Sequence, residues 1–155
     1  MNLRLLFVSV ILFCSPALFG QAMLLVKTSL QREIGPDKKT VSETCFVDFE
    51  KRAAFPFVVD SVKSTTGKKI EFEFFHVEMI MQKDDIEWKL SKDFPADKMG
   101  LFQLQIKKSS GDQKQPAVNA KIDLTKGFVI YAHDNGKPVQ LKVEKIDHLP
   151  DAEKK

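Results

Sequence analysis

Apolar and polar residues alternate along most of this chain, and turn residues separate the alternating runs. Clear examples are residues 118–124 and residues 102–106, where Phe102, Leu104 and Ile106 share one phase. A period of two is typical of half-buried β-strands, and no window keeps a 3.6-residue apolar period. About nine such runs predict an all-β fold, an antiparallel β-sandwich of about 8–9 strands, with a small β-barrel as the alternative.

The sandwich is expected to be immunoglobulin-like in broad architecture. Residues 100–104 read Gly-Leu-Phe-Gln-Leu. This Gly-x-aromatic-x-apolar spacing is similar to that of the penultimate strand of immunoglobulin-like domains. The Asn135-Gly136 pair between two alternating runs predicts a tight hairpin. Pro56 lies inside a third run and predicts an edge strand or a bulged strand there.

The most apolar run outside the N-terminus is residues 70–81, which read IEFEFFHVEMIM. Its apolar residues change phase once, from even to odd numbers: Ile70, Phe72 and Phe74, then Phe75, Val77, Met79 and Met81. An extra residue at Phe74–Phe75, as in a β-bulge, would keep all of them on one face.

We therefore predict a bulge at that point, which assigns a direction to each side chain. The inward residues are expected to be Phe72, Phe75, Val77 and Met79, and the outward residues Glu73, His76 and Glu78. If the strand is regular instead, the face changes halfway, and His76 points inward beside Phe72 and Phe74. Only in that second case does a buried histidine create an internal site.

Residues 1–22 have the order of segments found in secretory signal peptides. A short basic start that includes Arg4 precedes the apolar run LLFVSVILF, and then Pro16 and several small residues follow. We predict cleavage near residues 20–22. The alternatives are an uncleaved membrane anchor, because apolar residues resume at Met23, and a lipid anchor on Cys14.

Cleavage would leave residues 23–147 as a single β domain and residues 148–155 as a polar C-terminal tail. It would also remove one arginine and lower the formal net charge of +3 by one. A nearly neutral chain with both signs interspersed lacks the clustered basic face of nucleic-acid-binding proteins. We therefore expect no nucleic-acid partner, and no membrane span after signal cleavage.

Cys45 is the only cysteine beyond the predicted signal peptide. It shares an apolar parity with Val41, Val47 and Phe49, which favours a buried core cysteine over an intermolecular disulfide. There is no disulfide framework and no Asn-x-Ser/Thr sequon. These features favour an exported protein of the bacterial periplasm or envelope, with an extracellular location as the wider class.

Candidate chemistry is sparse. With the bulge, Glu73, His76 and Glu78 lie on one strand face and are weak candidates for a divalent metal site. The favoured interpretation is a solvated strand face, because a flat row of side chains diverges instead of converging on one ion. No catalytic motif and no cofactor site is predicted, and the protein is expected not to be an enzyme.

The apolar inventory leaves two functions open. The leading prediction is an exported, non-enzymatic β-sandwich that acts as a protein-interaction, adhesion or assembly module. The alternative is a β-barrel that carries a small hydrophobic ligand in a cavity lined by phenylalanines. The candidate lining residues are Phe55, Phe57, Phe72, Phe74, Phe75 and Phe128. The sequence leaves the identity of the partner and the oligomeric state open.

Overall fold

The computed structural model describes residues 23–83, 85–109 and 117–153. The predicted signal peptide, residues 1–22, lies outside the described residues. Strands account for 65% of the described residues, which confirms the all-β class. The helical element among them is one 3-10 turn, Leu124–Lys126. No helix in this part of the chain is long and apolar enough to cross a membrane.

In the part of the chain that the structure describes, eleven strands form two sheets. In chain order they are β1 (Met23–Ile34), β2 (Thr40–Lys51), β3 (Phe57–Ser64), β4 (Lys69–Ile70), β5 (Glu73–Gln82), β6 (Asp85–Ser91), β7 (Gly100–Ser109), β8 (Phe128–Asp134), β9 (Lys137–Val143), β10 (Asp147–His148) and β11 (Ala152–Glu153). The larger sheet has the order β10-β1-β2-β7-β5-β6, and β11 also pairs with β1. The smaller sheet has the order β4-β3-β8-β9.

The two sheets share one apolar core. Cys45, Val47 and Phe49 of β2 are fully buried, and they belong to the same cluster as Phe128 and Ile130 of β8. The described sheets do not close into a barrel, so the sandwich prediction is confirmed over the barrel alternative. The predicted strand run at residues 118–124 is wrong, because these residues hold only an isolated bridge from Val118 to Ser109 and the start of the 3-10 turn. The strand count still exceeds the predicted 8–9 because β4, β10 and β11 have two residues each, which is too short to show a periodicity.

The predicted bulge in residues 70–81 is wrong. Ile70 ends β4 in the smaller sheet, and the chain then crosses to the larger sheet, where β5 begins at Glu73. From Glu73↔Gln105 to Val77↔Leu101, β5 pairs with β7 in an unbroken register. The strand is therefore regular, and its face changes halfway.

Burial agrees with the regular register. His76 is buried, and Phe74 packs against the core. Phe75 is also buried, but it lies on the outer face, outside the core cluster, where the Lys92 ammonium lies 5.4 Å from its ring centre. The phase change in the sequence marks the place where the apolar side of the strand switches from the core side to the outer side.

The distal part of β5 leaves the sandwich. Its pairing with β7 ends at Val77, whereas its pairing with β6 continues to Gln82↔Asp85. Every residue of β6 before Ser91 is exposed. The β5–β6 hairpin therefore projects past the end of β7.

The described part of the C-terminal segment pairs with β1. β10 and β11 both pair with β1 in parallel, and the Leu149 amide donates to the Leu30 carbonyl at 2.9 Å. These contacts cover the second half of the outer edge of β1.

Candidate functional site

The three candidate metal ligands are divided between the two faces of β5. The Glu73 carboxylate lies on the outer face and forms an ion pair with Lys92. His76 and Glu78 share the opposite face, where His76 Nδ1 lies 3.4 Å from Glu78 Oε1. Because β5 is regular, the structure brings His76 and Glu78 together but leaves Glu73 apart.

His76 is packed as part of the core wall. Its side chain is almost completely buried, and its ring makes an edge contact with Phe102, with 5.0 Å between the ring centres. Nε2 lies 3.3 Å from the Met99 carbonyl oxygen, while the contact of Nδ1 with Glu78 is not aligned as a hydrogen bond. No group of three or more His, Cys, Asp or Glu side chains that could hold a metal occurs among the described residues. The buried ring of His76 therefore fills the space between β5 and the chain before β7.

A buried cation lies close to this histidine. Lys51 is only 3% exposed, and its ammonium donates to the Ala96 carbonyl at 2.6 Å and lies 5.9 Å from the centre of the Phe102 ring. Burial lowers the pKa of Lys51, and the nearby Asp97 and Asp134 carboxylates partly offset that effect. The side chain fastens the loop between β6 and β7 to the end of the sandwich.

The sequence contained a signal for Lys51. It follows Cys45, Val47 and Phe49 in the same alternating parity, so it lies on the buried side of β2. A lysine at the end of an apolar face can reach a carbonyl group beyond the last strand residue.

The six candidate cavity phenylalanines do not line a common space. Phe57 and Phe128 are buried in the core, Phe55 is about half exposed, and Phe75 lies on the outer face. Phe74 stacks on Phe102 with 5.5 Å between the ring centres. Phe72 packs against the core from the crossover between the sheets. Phe57 and Phe74 contact each other, with 6.3 Å between the ring centres, and so help to fill the core.

One concavity on the described surface is an open groove of about 630 Å³. It lies on the outer face of the larger sheet. Its walls include Gln31, Thr44, Phe46, Phe72, Gln105 and Lys107. Polar and apolar groups are mixed there without converging on one point.

Cys45 is not a nucleophile. It is fully buried, as the sequence predicted, and burial raises the pKa of its thiol to about 12. A protonated thiol without access to solvent neither attacks a substrate nor binds a metal.

The most unusual surface is an apolar face on the projecting hairpin. Cross-strand partners point to the same side of a sheet, and here Met79 pairs with Trp88 and Met81 with Ile86. Val77 extends this face toward β7. We call it the hairpin face, and it consists of six exposed apolar residues: Met79, Met81, Ile86, Trp88, Leu90 and Leu101.

The opposite side of the same hairpin is mostly polar. It presents Glu78 and Gln82 from β5 and Glu87 and Lys89 from β6, and the Gln82 side-chain amide donates to Glu87 at 3.1 Å. The apolar side of this amphipathic hairpin therefore faces solvent, with Trp88 56% exposed and Met81 76% exposed. Contiguous exposed apolar patches of this kind mark binding surfaces in soluble proteins.

The sequence showed the odd-numbered apolar residues of β5 but assigned them to the core. The pairing of β6 was needed to see that their side of the sheet has no covering layer. No protein-family model matches this chain, and comparison with curated proteins gives no significant match.

Proposed function

We propose that this protein is an exported, non-enzymatic β-sandwich that acts through protein contacts, with the hairpin face as its contact surface. The observation that carries the proposal is the set of six large apolar side chains exposed on the hairpin face, five from the β5–β6 hairpin and one, Leu101, from β7. Trp and Met are enriched in protein interfaces, and Trp in particular contributes large binding energies. Trp88 lies near the middle of β6, with apolar residues on both sides of it.

Export rests on the segment order of residues 1–22. The expected processing leaves a new N-terminus near residues 20–22, just before β1. Intact mass and N-terminal sequencing of the protein from cells that express the full chain test this part. A retained Arg4 in the purified protein would contradict it.

A protein partner agrees better with the hairpin than a lipid surface does. Lys83 lies in the hairpin turn, Asp85 begins β6 directly after it, and Glu87 and Lys89 follow on the polar side of the hairpin. Acidic groups at the end of an inserting hairpin would have to approach anionic lipid headgroups and lose water. A folded protein partner can match charges of both signs.

Site-specific photo-cross-linking tests the contact surface. A photoreactive amino acid replaces Trp88 in one variant and Phe55 in the control, since these side chains are 56% and 51% exposed. We expect a defined protein adduct from position 88 and none from position 55. The adduct should disappear when Met79→Lys is added, because a charge on the hairpin face costs desolvation on binding.

The other outcomes decide between alternatives. Equal adducts from positions 88 and 55 would overturn the contact surface. A rise in melting temperature with an apolar dye or a fatty acid, unchanged by Met79→Lys, would favour the hydrophobic-ligand carrier.

A further inference from the structure

The edges of the two sheets are protected unequally. β10 and β11 cover only the second half of the edge of β1, and β4 covers only the end of β3. The uncovered part of each of these two strands contains a register shift, which bends an edge away from a further strand. β9 is an edge strand of seven residues, but it contains Pro138 and begins with Lys137. Short strands, prolines and lysines are the usual protection against pairing with another chain.

β6 lacks most of this protection. It is also an edge strand of seven residues, DIEWKLS, with no proline and a single lysine. Apolar side chains alternate along it on the hairpin face. A long exposed edge of this composition is a template for an additional strand.

Along β6, the backbone N–H and C=O groups point alternately to β5 and to the open edge. This alternation decides which residues could form hydrogen bonds with an added strand. Gln82↔Asp85 closes a hairpin with two residues in the turn, so this pair exchanges hydrogen bonds across the ladder. The amide and carbonyl groups of the intervening residues Ile86, Trp88 and Leu90 then point to the open edge. Consistent with this phase, the Ile86 amide donates to the Asp85 side chain at 2.8 Å instead of to β5.

The sequence of β6 complements itself about Trp88. If a second β6 pairs antiparallel with Trp88 opposite Trp88, then Ile86 lies opposite Leu90, and Glu87 lies opposite Lys89. Both pairs occur twice because of the two-fold symmetry. Opposite charges and apolar pairs directly across an antiparallel ladder stabilise it, and like charges destabilise it.

We propose that a second copy of this chain occupies the β6 edge, so that two sandwiches share one continuous sheet through an antiparallel β6–β6 ladder centred on Trp88. This inference rests on the proposed function, since it names the partner of the same hairpin. The side chains of Trp88, Ile86 and Leu90 from both copies then form one joint apolar face. Because the hairpin projects past the end of β7 and the ladder is antiparallel, the two sandwiches lie at opposite ends of the joint.

The test measures the oligomeric state of the purified protein over a range of concentrations by sedimentation velocity. Trp88 is the only tryptophan, so its emission reports the joint directly. We expect a concentration-dependent dimer, with tryptophan emission shifted to shorter wavelength in the dimer. Glu87→Lys alone or Lys89→Glu alone should raise the dissociation constant on the order of tenfold, because each puts like charges opposite each other twice.

Charge exchange supplies the matched controls. An equimolar mixture of the Glu87→Lys and Lys89→Glu variants should form a heterodimer, and the double variant with both changes should recover the homodimer. Lys142→Glu on the β9 edge should leave the dissociation constant unchanged. The double variant also shows that a weakened single variant did not simply lose its hairpin, where Lys89 lies across from Glu78.

Two results would overturn the inference. One is a protein that stays monomeric at every concentration. The other is a dimer that Trp88→Ser weakens but that neither charge variant changes, since such a dimer would pack the hairpin faces without the β6 register. In both cases the proposed function fails only if position 88 also gives no more cross-linked protein than position 55.

Discussion

Two hairpins in this molecule have the same design and different surroundings. β5–β6 and β8–β9 each have seven cross-strand pairs and a two-residue turn. In β8–β9, every second residue of β8 is buried, and the ladder ends at the buried Val143. In β5–β6, the buried residues are confined to the first half of β5.

The difference between the two hairpins shows that an alternating sequence predicts a strand but does not predict whether its apolar side is buried. An alternating run predicts a strand with one apolar side, but the apolar side is buried only where another layer covers it. β3 flanks β8 in the smaller sheet, which packs on the common core. Beyond Val77 the larger sheet extends past β7, and the apolar side of the β5–β6 hairpin faces outward.

The largest expected contrast comes from removing one apolar side chain from each hairpin. Ile130→Ala in β8 should reduce the free energy of unfolding by about 2–5 kcal/mol, because Ile130 is fully buried and its truncation leaves a cavity. Trp88→Ala in β6 should cost about 0.5–1 kcal/mol, since its contacts lie on an exposed face. Urea unfolding followed by circular dichroism, at low protein concentration, measures both. Equal losses would mean that the hairpin face is packed against something within the monomer.

The two glycines at the ends of β8–β9 give the next contrast. Gly127, just before β8, has φ 77°, and an added Cβ would lie 2.3 Å from the Val143 carbonyl oxygen. Gly127→Ala should therefore cost about 3 kcal/mol or more through strain and overlap. Gly136→Ala in the turn keeps a similar φ of 75° but meets open space, so about 1 kcal/mol is expected.

Thermal unfolding of both alanine variants checks this order. A Gly127→Ala protein as stable as the Gly136→Ala protein would show that the base of the hairpin can move away from the added methyl group. The stability of the β8–β9 hairpin would then depend more on side-chain packing than on the close backbone approach at Gly127.

The fold class was predictable because β7, β8 and, from Cys45 onward, β2 alternate without interruption. Phe102, Leu104 and Ile106 in β7 are all buried, as their spacing indicates. Cys45 is buried for the same reason. The strands β4, β10 and β11 were not predictable, because two residues carry no period and their pairing depends on long-range contacts.

The candidate site was predictable only in part. The phase change near Phe74–Phe75 was visible, but a bulge and a regular strand that loses its cover give the same sequence pattern. The regular strand turns His76 inward and Met79 outward, the reverse of the predicted directions. Deciding between them required knowledge of where β7 ends, which is information about a different part of the chain.

An alkaline pH change tests whether water reaches the part of the core that surrounds Cys45. Burial raises the pKa of the Cys45 thiol from 9.0 to about 12. Between these pH values the unfolded chain loses the thiol proton, whereas the folded chain keeps it. The thiol therefore does not lower the free energy of unfolding below pH 9, and it lowers it increasingly as the pH rises toward 12. At pH 10 the loss should be about 1.4 kcal/mol.

Cys45→Val is the matched variant for that test, because it keeps an apolar side chain of similar size without a proton to lose. The free energy of unfolding is measured at pH 8 and pH 10 for both proteins, and the difference between the two pH changes isolates the thiol. An equal pH dependence would mean that the thiol ionises as readily in the folded protein, and hence that the core around it opens to water.

The smallest expected effect lies at the boundary between the covered and uncovered parts of β5. Lys92 pairs with Glu73, and its ammonium lies over the Phe75 ring, so it covers the last shielded aromatic residue before the exposed Met79. Lys92→Ala should cost about 0.5 kcal/mol, because both charged groups are more than half exposed and solvent weakens their attraction. Lys142→Ala on β9 is the control and should cost less, because Lys142 is an exposed lysine of the other hairpin. Chemical denaturation at low and high salt measures the pair, and the Lys92 effect should shrink with salt. A Lys92→Ala loss no larger than the Lys142→Ala loss would place the end of the shielded region before Phe75 instead of after it.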